Sequence, residues 1–541
     1  MTSIRIALAS ALVMSAPSFD MEAAAQPRAR IVLVGDSTVT DDKGWGAGFC
    51  ALVDPSIECI NRAASGRSSR SFIDEGRWGD ALALKGAFYL IQFGHNDEPG
   101  KGPERETDPA TTYRQYMSRY VDDARAIGAT PVLITSLTRR KFDETGHVLP
   151  NIVPYVEAVK SLAAEKHVPL VDLHARSIVV TERMGDAAWS AMSPRDDKGE
   201  VDRTHLNAEG GTLVGALVAR ELRAVVPALA ARIKPGALPI EASANAIVAA
   251  DGTGQFATVQ EAINAVPQDT SAANPWVIYV KPGRYREVVY VQREKRFVTL
   301  AGSRSERTLI TYDLHANMTG LDGRPIGTFR TPTMTIDADD FTVADLTIEN
   351  AAGPVGQALA LRVDGDRVVF RRCRFLGWQD TIFLNRGRQY FEDAYIAGHV
   401  DFIFGGATAY FERPSIHVLR DGYITAASTP PVDRYGFVLA RGTITGEPGS
   451  HAFLGRPWRS YAQTSFIDMT MSDVVRPEGW HNWDKPEREK TARYSESGST
   501  GPGASPRTRV PWSKQLSPAQ ARALTVTEVL GGWDPRVVRS P

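Results

Sequence analysis

The chain has 541 residues, with 62 Lys and Arg against 63 Asp and Glu, a net charge of −1. Hydrophobic residues make up 43% and charged residues 23%, which excludes disorder, collagen and coiled coil for the bulk of the chain; the even charge balance excludes a generic nucleic-acid or anionic-membrane binder. Three cysteines exclude a disulfide scaffold or a multi-cysteine metal protein, and the length allows more than one large core.

Residues 1–25 read as an export signal. Met1–Arg5 carries one positive charge, Ile6–Met14 is a short apolar run, and Ala23-Ala24-Ala25 offers a cleavage site before Gln26. The run is shorter than the ~20 residues a bilayer requires, and no later segment qualifies as a span. The expectation is an exported protein, secreted or periplasmic. In an oxidising compartment Cys50 and Cys59 can pair across a short loop, whereas Cys373 reads as a buried apolar thiol.

From residue 26 to 232 apolar runs alternate with helical patterns. Ile31–Val34, Ala87–Phe93, Pro131–Thr135 and His167–Leu173 read as strands. Thr112–Ile127 and Val153–Lys166 space their apolar residues at helical intervals, and Asn207–Ile233 reads as one long Ala/Leu-rich helix. Such alternation predicts a three-layer α/β domain with a parallel sheet. A linker over residues 233–244 contains Lys234-Pro-Gly-Ala-Leu-Pro239.

Beyond it, residues 245–541 are a second domain in which helices almost vanish. Thr258–Ala265 is a short helix, Tyr494–Trp512 reads as loop, and Ser517–Leu530 as a closing helix. The rest is strand-sized and recurs: Asp345-Leu-Thr-Ile348, Arg372-Cys-Arg-Phe375, Asp393-Ala-Tyr-Ile396 and Arg413-Pro-Ser-Ile416 overlay with steps of 27, 21 and 20 residues. A period in the twenties points to a solenoid, a parallel β-helix, in preference to a β-sandwich with strands every ~8–12 residues.

The repeat carries chemistry. Asp380 lies five residues after Phe375, and Asp401 five after Ile396. Equivalent positions on successive coils stack at ~4.8 Å, so the two carboxyls are expected on one face. Carboxyls that close do not both ionise cheaply, which suits a proton donor beside a nucleophile. Spacing alone leaves open a solvated pair of turn aspartates. Asp421, at the next equivalent position, precedes Gly422 and reads as a turn residue.

The blocks around this pair resemble the pectin methylesterase family over roughly residues 247–535. They are Asp251-Gly-Thr-Gly-Gln-Phe-Ala-Thr-Val-Gln-Glu-Ala-Ile263, Gly283-Arg-Tyr-Arg-Glu287, Gln357-Ala-Leu-Ala-Leu361, Gly377-Trp-Gln-Asp-Thr381, Asp401-Phe-Ile-Phe-Gly405 and Leu454-Gly-Arg-Pro-Trp458, in the family's order. The resemblance implies a right-handed parallel β-helix. It makes Asp401 the nucleophile and Asp380 the general acid, then base. Gln357 and Gln379 become oxyanion donors, Arg456 the partner that keeps Asp401 ionised, and Phe404 and Trp458 the lining of the sugar groove. Each role is physically apt. An arginine fork holds a carboxylate charged and aimed, neutral amides suit a developing oxyanion, and aromatic faces suit pyranose rings. Phe383 stands where many members carry tyrosine, which removes one hydroxyl contact. The implied reaction is hydrolysis of methyl esters on polygalacturonate through an acyl-enzyme, with no metal or cofactor. A pectate lyase shares the β-helix, but it would use calcium on clustered carboxylates, and glutamines flank these aspartates.

In the first domain Ile31–Val34 runs into Gly35-Asp-Ser-Thr38, placing Ser37 at the carboxyl edge of the sheet, where α/β sites lie. Asp202 and His205 stand three apart before a helix. Together they form a Ser–His–Asp set, with the backbone N–H groups of Ser37 and Gly66 and the Asn96 side chain as oxyanion donors. The blocks Gly35-Asp-Ser-Thr-Val39, Asn61-Arg-Ala-Ala-Ser-Gly-Arg-Ser-Ser-Arg-Ser-Phe72, Phe93-Gly-His-Asn-Asp97 and Asp202-Arg-Thr-His-Leu-Asn207 resemble the SGNH/GDSL hydrolases, with a flavodoxin-like fold, and more closely the rhamnogalacturonan acetylesterases, over about residues 29–230. The resemblances together imply a bifunctional enzyme stripping methyl and acetyl esters from pectin, its partners being polygalacturonate and rhamnogalacturonan. The alternatives are a non-catalytic carbohydrate-binding first domain and a purely structural β-helix. Arg286, Arg388 and Arg459 are candidate local contacts for an anionic polymer.

Overall fold

The computed structural model describes residues 29–537; the expected export signal lies outside the described residues. The chain divides into two compact units, with the change falling at Ala237–Leu238 apart from the short segments 142–148 and 179–188, which group with the second. Among the described residues no helix is long and apolar enough to cross a membrane.

The first unit is built on five parallel strands: β1 (Arg30–Gly35), β2 (Glu58–Asn61), β3 (Phe88–Gln92), β4 (Thr130–Ile134) and β5 (Leu170–Val171). Their order is β2-β1-β3-β4-β5. Ile31–Val34 are fully buried, which is why β1 is a continuous apolar run and not an alternating one. The order reverses between β1 and β3, and the carboxyl ends of these two strands open the crevice in which such folds bind ligands. Helix Ala208–Val225 carries an Asn207 cap whose Oδ1 accepts from the Glu209 and Gly210 N–H groups. It packs closely on Gly48, where an added Cβ would lie 2.3 Å from the Gly211 carbonyl oxygen. The long helix expected over Asn207–Ile233 is two, because Pro227 has no N–H to continue it; the second covers Pro227–Ala230. The strand expected over His167–Leu173 shrinks to Leu170–Val171. Asp172 caps a new helical stretch, Leu173–Ala191, kinked at Gly185, by accepting from the Ala175 N–H. Strand β2 was not expected, since its Glu-Cys-Ile-Asn sequence is too short and polar to signal itself. Cys50 and Cys59 form a disulfide that ties it to helix Gly46–Cys50. Cys373 is free and buried.

The second unit is a parallel β-helix. One sheet of eleven strands runs from Ala246–Val248 to Lys514–Gln515, and a second has thirteen strands, nine along one path and four joined off it. The overlay read from the sequence is the coil register itself: Ile348 pairs with Phe375, Phe375 with Ile396, and Ile396 with Ile416. All four are buried, and each such side chain contributes ~1.5–3 kcal/mol. Phe370, Phe391 and Phe411 stack beside them at 4.5 and 4.4 Å. Three residues before each registered position the chain turns through left-handed backbone, at Asp345, Arg372, Asp393 and Arg413, with φ between 52° and 56°. These turn residues alternate in charge and clamp one another, Arg372 on Asp345 at 2.6 and 2.7 Å and Arg413 on Asp393 at 2.8 and 3.0 Å.

Three expectations for this unit change. Asp421 is not in a turn; it lies exposed within strand Ser415–Ala427, accepting from the His451 N–H. The coil register shifts between Gly398 and Ile403, which carries position 421 away from Asp401. The stretch Tyr494–Trp512 opens on a strand that begins one residue earlier, Arg493–Ser497. Its polar residues hid it, yet they are satisfied inside: Ser495 bonds Ser465 at 2.8 Å, and Glu496 pairs with buried Arg509 at 2.9 and 3.0 Å. The closing helix is two short ones, Pro518–Ala523 and Val526–Val529.

Candidate active sites

The coil register delivers the acidic pair. Gln357 bridges to Gln379 and Gln379 to Val400, so Asp380 and Asp401, one residue on, stand on neighbouring rungs. Both adopt left-handed backbone, φ 65° and 52°, which Asp tolerates better than bulky residues. A cavity of about 430 Å³ is lined by Gln357, Gln379, Asp380, Asp401, Phe404, Arg456, Trp458, Phe329 and Trp483 among others. Arg456 Nε and Nη2 donate to the two oxygens of Asp401 at 2.9 and 2.7 Å, a bidentate fork. The guanidinium is itself sandwiched between the rings of Tyr423 and Trp483, 3.8 and 3.7 Å from their centroids. Phe383 stacks on Phe404 at 4.7 Å, and Trp458 meets Phe404 edge-on at 5.7 Å, making an aromatic wall.

Burial raises both carboxyls, but unequally. Asp380 is pushed well above the usual carboxylate range by burial first and then by the charge of Asp401. At Asp401 burial also raises, while the hydrogen bonds and charge of Arg456 oppose it. The pair therefore shares its proton asymmetrically, with Asp380 neutral and Asp401 the ionised member.

In the first unit Ser37 follows β1 and His95-Asn96 follow β3, on the two sides of the crevice. Ser37 Oγ lies 2.8 Å from His205 Nε2, and His205 Nδ1 lies 2.6 Å from Asp202 Oδ2. Asp202 also accepts from the backbone N–H groups of Thr204 and His205. Burial pushes this carboxyl up, but those hydrogen bonds, His205's first, outweigh it and hold Asp202 below the usual range. Gly66 sits at φ 77° with open space where a Cβ would be, and Asn96 Nδ2 donates to the Arg67 carbonyl at 3.1 Å. Ser37, Gly66, Asn96 and His205 line one cavity of about 270 Å³.

The structure thus brings together Gln357, Gln379, Asp380, Asp401, Phe404, Arg456 and Trp458 in one place, and Ser37, Gly66, Asn96, Asp202 and His205 in another. Of the arginines suggested for polymer contact, Arg286 is taken up by Asp313 at 3.0 Å and Arg388 by Asp366 at 2.6 Å, so their charge is compensated within the protein. Arg459 lies over Trp458, 4.8 Å from its ring centroid. Sequence reasoning missed Tyr423 and Trp483, which hold Arg456. Trp483 sits in a loop outside the repeat, where no register points to it. It also missed Lys43, Lys101 and Arg139, which line the Ser37 cavity. No motif marks them, since they come from three separate loops.

A β-helix with an arginine-held acid pair, preceded by an α/β sheet with a serine–histidine–aspartate relay, defines a carboxylic ester hydrolase. The pectinesterase family model matches residues 245–533, and the chain belongs to that family. A second model, of the GDSL-like lipase/acylhydrolase family, matches residues 33–213. Pectinesterase 31 of Arabidopsis thaliana is 40% identical over 283 residues, 51% of this chain and 88% of that protein. Putative pectinesterase 11 of the same plant is 38% identical over 286 residues, 52% and 78% of the two chains. Among solved structures, a pectin methylesterase from carrot is 34% identical, with a TM-score of 0.50, covering 53% of this chain and 93% of that one.

Proposed function

We propose that this chain is an exported, two-site pectin-deesterifying enzyme. The β-helix site hydrolyses methyl esters of polygalacturonate. The observation that carries this reading is the pair itself: the Asp401 carboxyl sits in the Arg456 fork beside Asp380, which burial and the Asp401 charge push well above the usual carboxylate range. Asp401 attacks the ester carbonyl carbon, and the Gln357 and Gln379 amides take up the charge on its oxygen. Asp380 gives its proton to the departing methoxide, releasing methanol and leaving an acyl-enzyme anhydride. Asp380, now a carboxylate, takes a proton from water as that water attacks; the acid product leaves, and both residues return to their starting states. The names of the relatives support the substrate.

In the first unit His205 takes the Ser37 proton as Ser37 attacks an acetyl ester, and Asp202 stabilises the imidazolium. The Ser37 and Gly66 N–H groups and Asn96 face the oxyanion. Lys43 and Lys101 at this cavity favour an acetylated acidic polymer, for which rhamnogalacturonan is the reading. The Cys50–Cys59 disulfide supports an oxidising compartment, secreted or periplasmic.

The test is to assay methanol and acetate together on native pectin and acetylated rhamnogalacturonan. Ser37→Ala should abolish acetate release and spare methanol; Asp401→Ala should do the reverse, each loss being on the order of 10⁴-fold or more. Methanol without acetate from the unaltered enzyme would overturn the first-unit assignment. Loss of both products in either variant would refute independent sites.

A further inference from the structure

The segment following β4 sends two adjacent arginines in different directions. Arg139 lines the Ser37 cavity and pairs with Glu98. Arg140 is fully buried, and among the described residues no carboxylate lies within ion-pair distance of it. A buried guanidinium without a carboxylate is costly and calls for a structural reason. The reason is visible in its acceptors. Arg140 Nη1 donates to the Thr204 carbonyl at 3.3 Å, and Nη2 donates to the carbonyls of Asp202, at 3.4 Å, and His205. The Arg140 backbone N–H donates to the Arg203 carbonyl at 2.9 Å. Every carbonyl of the four-residue segment that carries Asp202 and His205 is therefore held by this one residue. The same Nη2 also donates to Ser193 Oγ at 3.3 Å, and the guanidinium lies over the Trp189 ring, 5.3 Å from its centroid.

We infer that Arg140 is the positioning residue of the serine site: it sets the Asp202–His205 segment so that His205 reaches Ser37, without touching the substrate. The inference rests on the reading of the first unit as an esterase. The segment is a loop between the Arg195–Val201 bridge and the Asn207 cap, with no ladder of its own to fix it. A planar fork with five donors on a rigid frame can hold several carbonyls at once, whereas a lysine, a point charge on a flexible stem, cannot. Burial lowers the Arg140 guanidinium to about 10, and the Asp202 charge only partly opposes it, so the group stays a cation at neutral pH.

The experiment uses the full-length protein with p-nitrophenyl acetate, a probe free of any assumption about the polysaccharide, and methanol release from pectin as an internal control. Arg140→Lys should lower kcat about tenfold and Arg140→Met about 10²-fold, the scale of loss from a misplacement of about 1 Å. KM should stay within about twofold and methanol release should be unchanged. If Arg140→Met yields no folded first unit by thermal unfolding, Arg140→Lys decides. An unchanged kcat in Arg140→Lys, a loss confined to KM, or absence of a folded first unit in both variants would overturn the proposal, the last by making Arg140 purely structural. Ser37→Ala run alongside separates the readings: if it leaves the hydrolysis intact, the esterase assignment itself fails, whatever Arg140 does.

Discussion

Asp202 and Asp380 are both carboxyls beside a reactive group, and their surroundings push them in opposite directions. Asp202 is partly exposed and accepts from His205 Nδ1 and two backbone N–H groups, which keep it ionised. Asp380 is buried against a second carboxyl, and no donor of the described residues reaches it, so it keeps its proton. On the proposed roles, Asp202 orienting and Asp380 donating a proton, the contrast follows from what each chemistry needs. An orienting carboxylate must stay charged to stabilise an imidazolium, so it is given donors. A proton-donating carboxyl must be neutral when substrate arrives, so it is denied them. Asp97 in the first unit separates these influences. It accepts from the Ser69 N–H, from Ser69 Oγ and from Thr107 Oγ1, yet complete burial carries it up to about 7.

The largest effect expected from breaking this contrast is at Asp202. Asp202→Asn keeps the shape but leaves His205 in the wrong tautomer, and acetate release should fall about 10⁴-fold with methanol release unchanged. A loss below tenfold would mean that Asp202 is not the orienting group. Next comes the stability of the first unit. In the unfolded chain Asp97 gives up its proton near 3.8, while in the folded chain it holds to about 7. Between those values the folded state binds more protons, so stability falls as pH rises, by about 4 kcal/mol at most. Urea unfolding at pH 5 and pH 8 should show that fall in the unaltered protein and a flatter profile in Asp97→Asn; equal slopes would show that Asp97 does not carry it. The smallest of the three effects is at the oxyanion donors. Gln379→Ala should cost 10²–10³-fold in kcat for methanol release, ~3–4 kcal/mol, with little change in KM. A change in KM alone would make Gln379 a binding residue and blur the comparison with Asn96.

Much of this is legible in the sequence. The overlay of Ile348, Phe375, Ile396 and Ile416 is the coil register, because a solenoid repeats its core contacts at a near-fixed chain length. Asp380 and Asp401 inherit that register, so their neighbourhood followed from counting. Asp421 did not, because a backbone irregularity between Gly398 and Ile403 breaks the count, and such a shift leaves no mark on the local pattern. Strand Arg493–Ser497 was invisible for a different reason: its polar residues are paired inside the protein, and pairing is not written in composition.

Features that are local or periodic can be read along the chain: the α/β alternation, the coil length, the motif residues at strand ends and the three-residue step from Asp202 to His205. Features that depend on residues far apart in the chain are set by packing. Ser37 meets His205 across 168 positions, Arg456 reaches Asp401 across 55, and Arg140 gathers the carbonyls of a loop more than sixty residues away. Whether a carboxyl is neutral or charged belongs with these, since burial and donor supply are set by packing and not by the residue's own neighbours in sequence.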